Sequence, residues 1–204
     1  MGASHNARVP TAPSPDEPDE ADETLMRRFA AGDMGAFDTL YGRHELAVWR
    51  FVFRSVKVQA VADDLLQDVW FAVARNARTY EAKAKFRTWL FTLARNRLVD
   101  HIRTAKHHAS LDANDGDERS LADTLAADSG FGPVRQLQSR EQAAALIAAV
   151  EQLPFEQREA FLLQAEGDLS VQEIAQATGV NFETAKSRLR YARASLRQHL
   201  KEFA

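Results

Sequence analysis

From Thr24 to Lys106 the chain carries no proline, and its apolar residues recur at three- and four-residue spacing. A stretch of that length with one period and no breaker folds as successive helices packed on one another, since no strand-like alternation of useful length interrupts it. Phe37, Leu40, Tyr41, Val48, Phe51 and Val52 fit one helix face. Val61, Leu65, Leu66, Val69 and Val73 fit a second, and Trp89, Leu90, Leu93, Ala94, Leu98 and Ile102 a third. The sequence predicts a helical bundle.

Residues 108–135 lose the period. Asp112, Asn114, Asp115, Gly116, Asp117, Ser120, Asp123, Asp128, Ser129, Gly130 and Gly132 mark a polar linker ending near Pro133. The helical pattern returns over about 136–152, breaks at Leu153-Pro154 and resumes to about Ala165, with Pro154 suited to a first helical turn. At the other end Pro10, Pro13, Pro15 and Pro18 stand among Ser, Ala and acids, the composition of a disordered tail. The expected architecture is all-α: a tail over 1–23, a helical domain over 24–107, a flexible acidic linker over 108–135, and a second helical domain over 136–204.

The last thirty-five residues carry the sharpest local signal. Ser170 and Glu173 have capping-box spacing and start a short helix. Gly179 supplies a turn that needs positive φ, and Asn181 caps a second helix. Along it Ala185, Leu189, Ala192, Leu196, Leu200 and Phe203 form an apolar stripe, beside a basic stripe of Lys186, Arg190, Arg193, Arg197 and Lys201. This spacing predicts a helix-turn-helix whose second helix enters a DNA major groove. An ordinary helical hairpin with a solvated basic face would show a similar pattern.

The net charge of −3 conceals segregation. Residues 1–23 carry net −5, 24–107 net +7, 108–135 net −4, and 181–204 net +4. Two basic surfaces separated by acidic segments suit a protein that touches nucleic acid at two places. No apolar run spans a bilayer and the first residues are acidic rather than basic then apolar, so neither membrane insertion nor a secretory signal is expected. Cysteine is absent, which excludes disulfides and thiolate metal sites and fits a cytoplasmic location. The six histidines show no ligand spacing. With no Gly-rich phosphate loop, no nucleophile beside a general base and no metal-binding carboxylate cluster, the sequence predicts no catalytic residues, no cofactor and no enzyme activity.

Two stretches of the first bundle, Ala62-Asp63-Asp64-Leu65-Leu66-Gln67-Asp68-Val69-Trp70 and Phe86 to Arg103, resemble region 2 of bacterial sigma factors. Leu153 to Leu163, with the helix-turn-helix after it, resembles region 4. Their order, with nothing between but the linker, is similar to the compact extracytoplasmic-function (ECF) group. The resemblance covers about 24–107 and 136–204.

It implies a sigma factor that binds core RNA polymerase and directs promoter-specific initiation, reading the −35 element as duplex and the −10 element as an opened strand. Asp64, Leu65, Gln67 and Asp68 would grip the polymerase, although such charges are more often simply solvated. The frequent arginine and tryptophan of the family fall here on Ala72 and Ala74, and Trp70 is a candidate for the missing bulk. Tyr80, Lys83, Lys85, Arg87 and Asn96 would line the −10 surface, where aromatics stack on exposed bases and cations hold phosphates. Phe86 and Trp89 continue the apolar face and are expected in the core; Asp100 and Arg103 can pair with each other or meet DNA.

In the second domain Thr184, Lys186, Ser187 and Arg188 would contact −35 bases, and Arg190, Arg193 and Arg197 phosphates. Asn181, Ala185 and Tyr191 depart from the common pattern, so the preferred DNA sequence does not transfer from a relative. The linker acids Asp112, Asp115, Asp117, Glu118 and Asp123 either form a plain tether or thread a basic polymerase channel. The resemblance also implies an anti-sigma factor as partner. The alternative is a stand-alone helix-turn-helix transcriptional regulator, its first bundle serving ligand binding or dimerisation.

Overall fold

In the computed structural model, residues 20–111 and 133–201 are described, with side chains over 20–105 and 142–201. The described residues are helical apart from short turns. Helices α1 (Asp22–Ala30), α2 (Met34–Val56), α3 (Gln59–Asn76) and α4 (Phe86–Leu111) form the first group, with a 3-10 turn at Ala77–Thr79. Helices α5 (Pro133–Gln152), α6 (Phe155–Ala165), α7 (Val171–Thr178) and α8 (Phe182–Lys201) form the second.

Three expected boundaries shift. Asp22 and Glu23, assigned to the tail, are the first turn of α1. Helices α4 and α5 extend to Leu111 and from Pro133, inside the expected linker. Residues 1–19, the linker acids and Phe203 lie outside the described residues. Pro154 stands one residue before α6, as its N-cap.

The first group closes around Leu40, Val48, Phe51, Val52, Val69, Val73, Phe86, Leu90, Phe91 and Leu98, all essentially inaccessible to solvent. Each large apolar side chain removed from water contributes roughly 1.5–3 kcal/mol, so this core outweighs any single polar contact in holding the group. Polar contacts set the angles instead. Asp22 accepts from Arg43 Nη1 at 2.7 Å and meets His44 Nε2 at 2.6 Å, pinning α1 to α2. Glu23 Oε1 accepts from the Phe86 backbone N–H at 2.7 Å, so the start of α4 is held by a residue of α1. Trp49 Nε1 donates to Asp63 at 2.7 Å and ties α2 to α3.

The second group relies on local devices. Ser170 and Glu173 make both bonds of the capping box, Gly179 ends α7 in the left-handed region at φ 69°, and Asn181 Oδ1 accepts from the Thr184 N–H at 2.8 Å. Ala185, Leu189, Ala192 and Leu196 are buried as the apolar stripe requires, and Leu200 is half-buried. The two groups also pack on each other, α4 against α7 and α2 against α6.

Candidate nucleic-acid interface

Helix α3 buries Ala62, Leu65, Val69, Trp70, Ala72 and Val73. Helical geometry then turns Asp64, Gln67 and Asp68 outwards together, and all three are exposed. Leu65 does not share that surface. At 6% exposure it belongs to the core. Trp70 likewise does not supply the missing bulk: its ring is buried against Phe37 and Tyr41. The aromatic on the acidic face is Phe71, 58% exposed, four residues after Gln67 and seven after Asp64. An apolar residue on the polar side of an otherwise amphipathic helix was the available signal for it.

The segment between α3 and α4 carries the basic–aromatic surface. Lys83, Lys85 and Asn96 are exposed, with Lys83 paired to Glu81. Tyr80 faces the other way. Its ring packs edge-on against Trp89 and Phe86, and its hydroxyl is buried without a hydrogen-bond partner. Burial, reinforced by Glu23 and Asp22, pushes the phenol up to about 12, so it stays protonated. Phe86 is core, and Trp89 is half-buried beside it. Arg87 is also withdrawn, donating from Nη2 to the Glu166 carbonyl at 2.6 Å. Three of the five predicted residues are therefore presented and two are held inward. Asp100 and Arg103 bond each other at 3.1 Å on the surface.

On the helix-turn-helix, an open concavity of about 340 Å³ is lined by Gln157, Asn181, Glu183, Thr184, Ser187, Arg188 and Tyr191. Three predicted base-contact residues meet there, and Lys186 stands exposed on the same helix, 3.6 Å from Glu183 and over the Phe182 ring. Gln157 comes from α6 and reaches this place only by tertiary packing, so no sequence spacing could have indicated it. Arg190, Arg193 and Arg197 are exposed; Arg190 lies over the Tyr191 ring and Arg193 donates to Gln164 at 2.6 Å.

Glu173 links this unit to the first. Its Oε2 accepts from Ser170, and its Oε1 accepts from Thr88 Oγ1 at 2.6 Å. Burial raises its carboxyl, but the hydrogen bonds from Ser170 and Thr88 outweigh that and hold it below the usual range. Among the described residues no group of three or more His, Asp or Glu could hold a metal, and no helix is long and apolar enough to cross a membrane.

Residues 40–108 match the family description Sigma-70 region 2, and residues 143–196 match Sigma-70, region 4. The chain is 31% identical to the ECF RNA polymerase sigma factor SigM of Mycobacterium tuberculosis, over 86% of this chain and 83% of the relative. The chain belongs to the ECF group of the sigma-70 family. The RNA polymerase sigma factor CarQ of Myxococcus xanthus is 32% identical, over 87% of this chain and 96% of its own length. Among solved structures, the sigma factor RpoE in complex with the anti-sigma factor NepR from Bartonella quintana has the same fold, with TM-score 0.65 and 22% identity over 81% of this chain and 96% of that one. CnrH in complex with the cytosolic domain of CnrY gives TM-score 0.62 at 22% identity, over 91% of this chain and 100% of that one. As a sigma factor the chain directs RNA polymerase to promoters, and the stand-alone regulator is not favoured.

Proposed function

We propose that this ECF sigma factor divides its work between two surfaces on two domains. The first domain, over 24–107, docks core RNA polymerase through Asp64, Gln67, Asp68 and Phe71, and meets the opened −10 strand through Lys83, Lys85, Asn96 and a released Arg87. The second, over 136–204, reads the −35 duplex through Thr184, Lys186, Ser187 and Arg188, with Gln157 and Tyr191 added from the walls of the concavity. Arg190, Arg193 and Arg197 hold phosphates. Each contact alone is weak; attachment to one polymerase raises the effective concentration of both. Residues 1–19 and 112–132 serve as tail and tether. The factor works in the cytoplasm, makes and breaks no bonds itself, and is bound by an anti-sigma factor, a partnership found between the sigma factor RpoE and the anti-sigma factor NepR of Bartonella quintana.

The observation that carries this reading is the outward alignment of Asp64, Gln67 and Asp68 opposite a buried α3 face, in a chain that also exposes a basic recognition helix. Polymerase-dependent transcription from a promoter library tests the assignments. Lys186→Ala or Arg188→Ala should relax preference at individual −35 positions, each base contact being worth roughly 1–3 kcal/mol of discrimination. Arg197→Ala should weaken all promoters alike. Identical patterns from both kinds of variant would remove the division between reading and holding.

A further inference from the structure

The basic stripe of α8 begins with an aromatic residue. Phe182, Lys186, Arg190, Arg193 and Arg197 follow one another at spacings of four, four, three and four, so they share one face of the helix. Phe182 is the first residue of α8 and is 42% exposed. Leaving an apolar ring in water at the head of a cationic face is unfavourable, and the helix could start as well on a small or charged residue.

The start of the helix holds this ring in place. Asn181 Oδ1 accepts from the Thr184 N–H at 2.8 Å, which fixes the first turn. The Lys186 ammonium lies 5.8 Å from the centre of the ring and 3.6 Å from Glu183 Oε1. Phe182 therefore stands beside a cation that the −35 reading aims at a base edge. The second cation–aromatic pair of the helix differs. Arg190 lies over Tyr191, whose hydroxyl accepts from Arg190 Nη2 at 3.2 Å. Tyr191 has a polar tip for a polar partner, and Phe182 has none.

Duplex DNA limits what such a ring can meet. A recognition helix enters the major groove with its N-terminal residues towards the base edges. There the base faces are stacked and closed to an aromatic side chain, while phosphates and polar base edges take cations and hydrogen-bonding groups. The apolar group on offer is the C5-methyl of thymine.

We propose that Phe182 is a specificity-determining residue, its ring taking the C5-methyl group of one thymine in the −35 element. The assignment rests on the −35 reading of α8 and adds a required thymine to it. Burying one methyl group changes affinity about fourfold.

The full chain, assembled with core RNA polymerase, selects from promoter duplexes randomised over the −35 element. Each thymine of the selected duplex is then replaced singly by deoxyuridine, which removes the methyl group and leaves every hydrogen-bonding atom. Wild type should fix a thymine at one position, and deoxyuridine there should weaken binding about fourfold. At the same position 5-methylcytosine should bind about fourfold more tightly than cytosine, since the methyl returns on a different base. Phe182→Ala should lose both differences and keep its preferences elsewhere, whereas Phe182→Leu, still apolar, should retain them. Deoxyuridine without effect at every thymine of a duplex that wild type binds specifically would overturn the proposal and leave the −35 reading intact. Selection of no sequence by wild type would overturn both. Equal weakening of all duplexes by Phe182→Ala, with the deoxyuridine difference kept, would overturn the proposal and make the ring a support for Lys186. The deoxyuridine and 5-methylcytosine measurements need no variant, so they decide the matter even if Phe182→Ala fails to fold.

Discussion

The helix-turn-helix of the second domain and helices α3 and α4 of the first are placed in opposite ways. In the second, α7 and α8 are started by residues three positions away, Ser170 with Glu173 and Asn181 with Thr184. In the first, α3 has no side-chain cap at all, and the Phe86 N–H at the start of α4 is satisfied by Glu23, sixty-three residues earlier. The recognition helix is thus specified locally. The positions of α3 and α4 are specified globally, by a core that must form before either surface exists.

This comparison breaks most decisively at the core. Phe51→Ala should cost about 3–5 kcal/mol by leaving a cavity beside Phe91. Trp49, Trp70 and Trp89 all lie in the first domain, so urea unfolding followed by tryptophan fluorescence should show the loss directly. Circular dichroism should retain the second domain's helices; their simultaneous disappearance would mean that the second domain is not locally specified.

Next in size is Arg95→Ala. It strands Glu159, whose side chain is 2% exposed, and should cost about 3 kcal/mol. Glu159→Leu in the same background should recover part of that loss, since an apolar side chain needs no partner there. If Arg95→Ala costs nothing, the domains are not held together by this pair.

The two caps come third. Ser170→Ala should cost about 1 kcal/mol and fray α7 alone, visible as faster amide exchange confined to the start of that helix. Glu23→Ala should instead loosen amides in both α1 and α4, because it ties two elements. Equal, local effects from both would erase the contrast.

The smallest effect concerns acid. Burial raises the Asp22 carboxyl, but hydrogen bonds from His44 and Arg43 more than offset this, and its pKa is lowered from 3.8. Burial likewise raises Glu173, and hydrogen bonds from Ser170 and Thr88 bring it below 4.5. A carboxyl whose folded pKa is depressed stabilises the protein above its unfolded pKa, and that contribution is lost as pH falls through the folded value. Stability should therefore hold from neutrality to about pH 4.5 and then decline, with Glu173→Gln removing part of the decline.

The same contrast explains what could be read from sequence. The capping box, Gly179 and the Ala185–Leu189–Ala192–Leu196 stripe depend on residues within one turn of each other, and the structure reproduces them. The orientation of Asp64, Gln67 and Asp68 followed from helical period alone. Leu65 lies in the core, as its place in the apolar period requires; the motif that set it among the polymerase contacts records which residues recur and not which of them face inward. Trp70 was misread for the same reason. The inward turn of Tyr80 and Arg87, and the arrival of Gln157 beside the recognition helix, depend on packing between distant segments and leave no spacing signature.

The exposed acidic face of α3 is proposed to recruit RNA polymerase. The most direct measurement is reconstitution of purified protein with bacterial core enzyme, scoring co-elution and promoter-specific transcripts for wild type and for Gln67→Ala/Asp68→Ala. Both substitutions lie on the exposed surface and should change stability by no more than about 0.5 kcal/mol. The account predicts specific initiation by wild type and loss of co-elution and transcripts in the variant, with unchanged unfolding. Undiminished polymerase binding by the folded variant would contradict it.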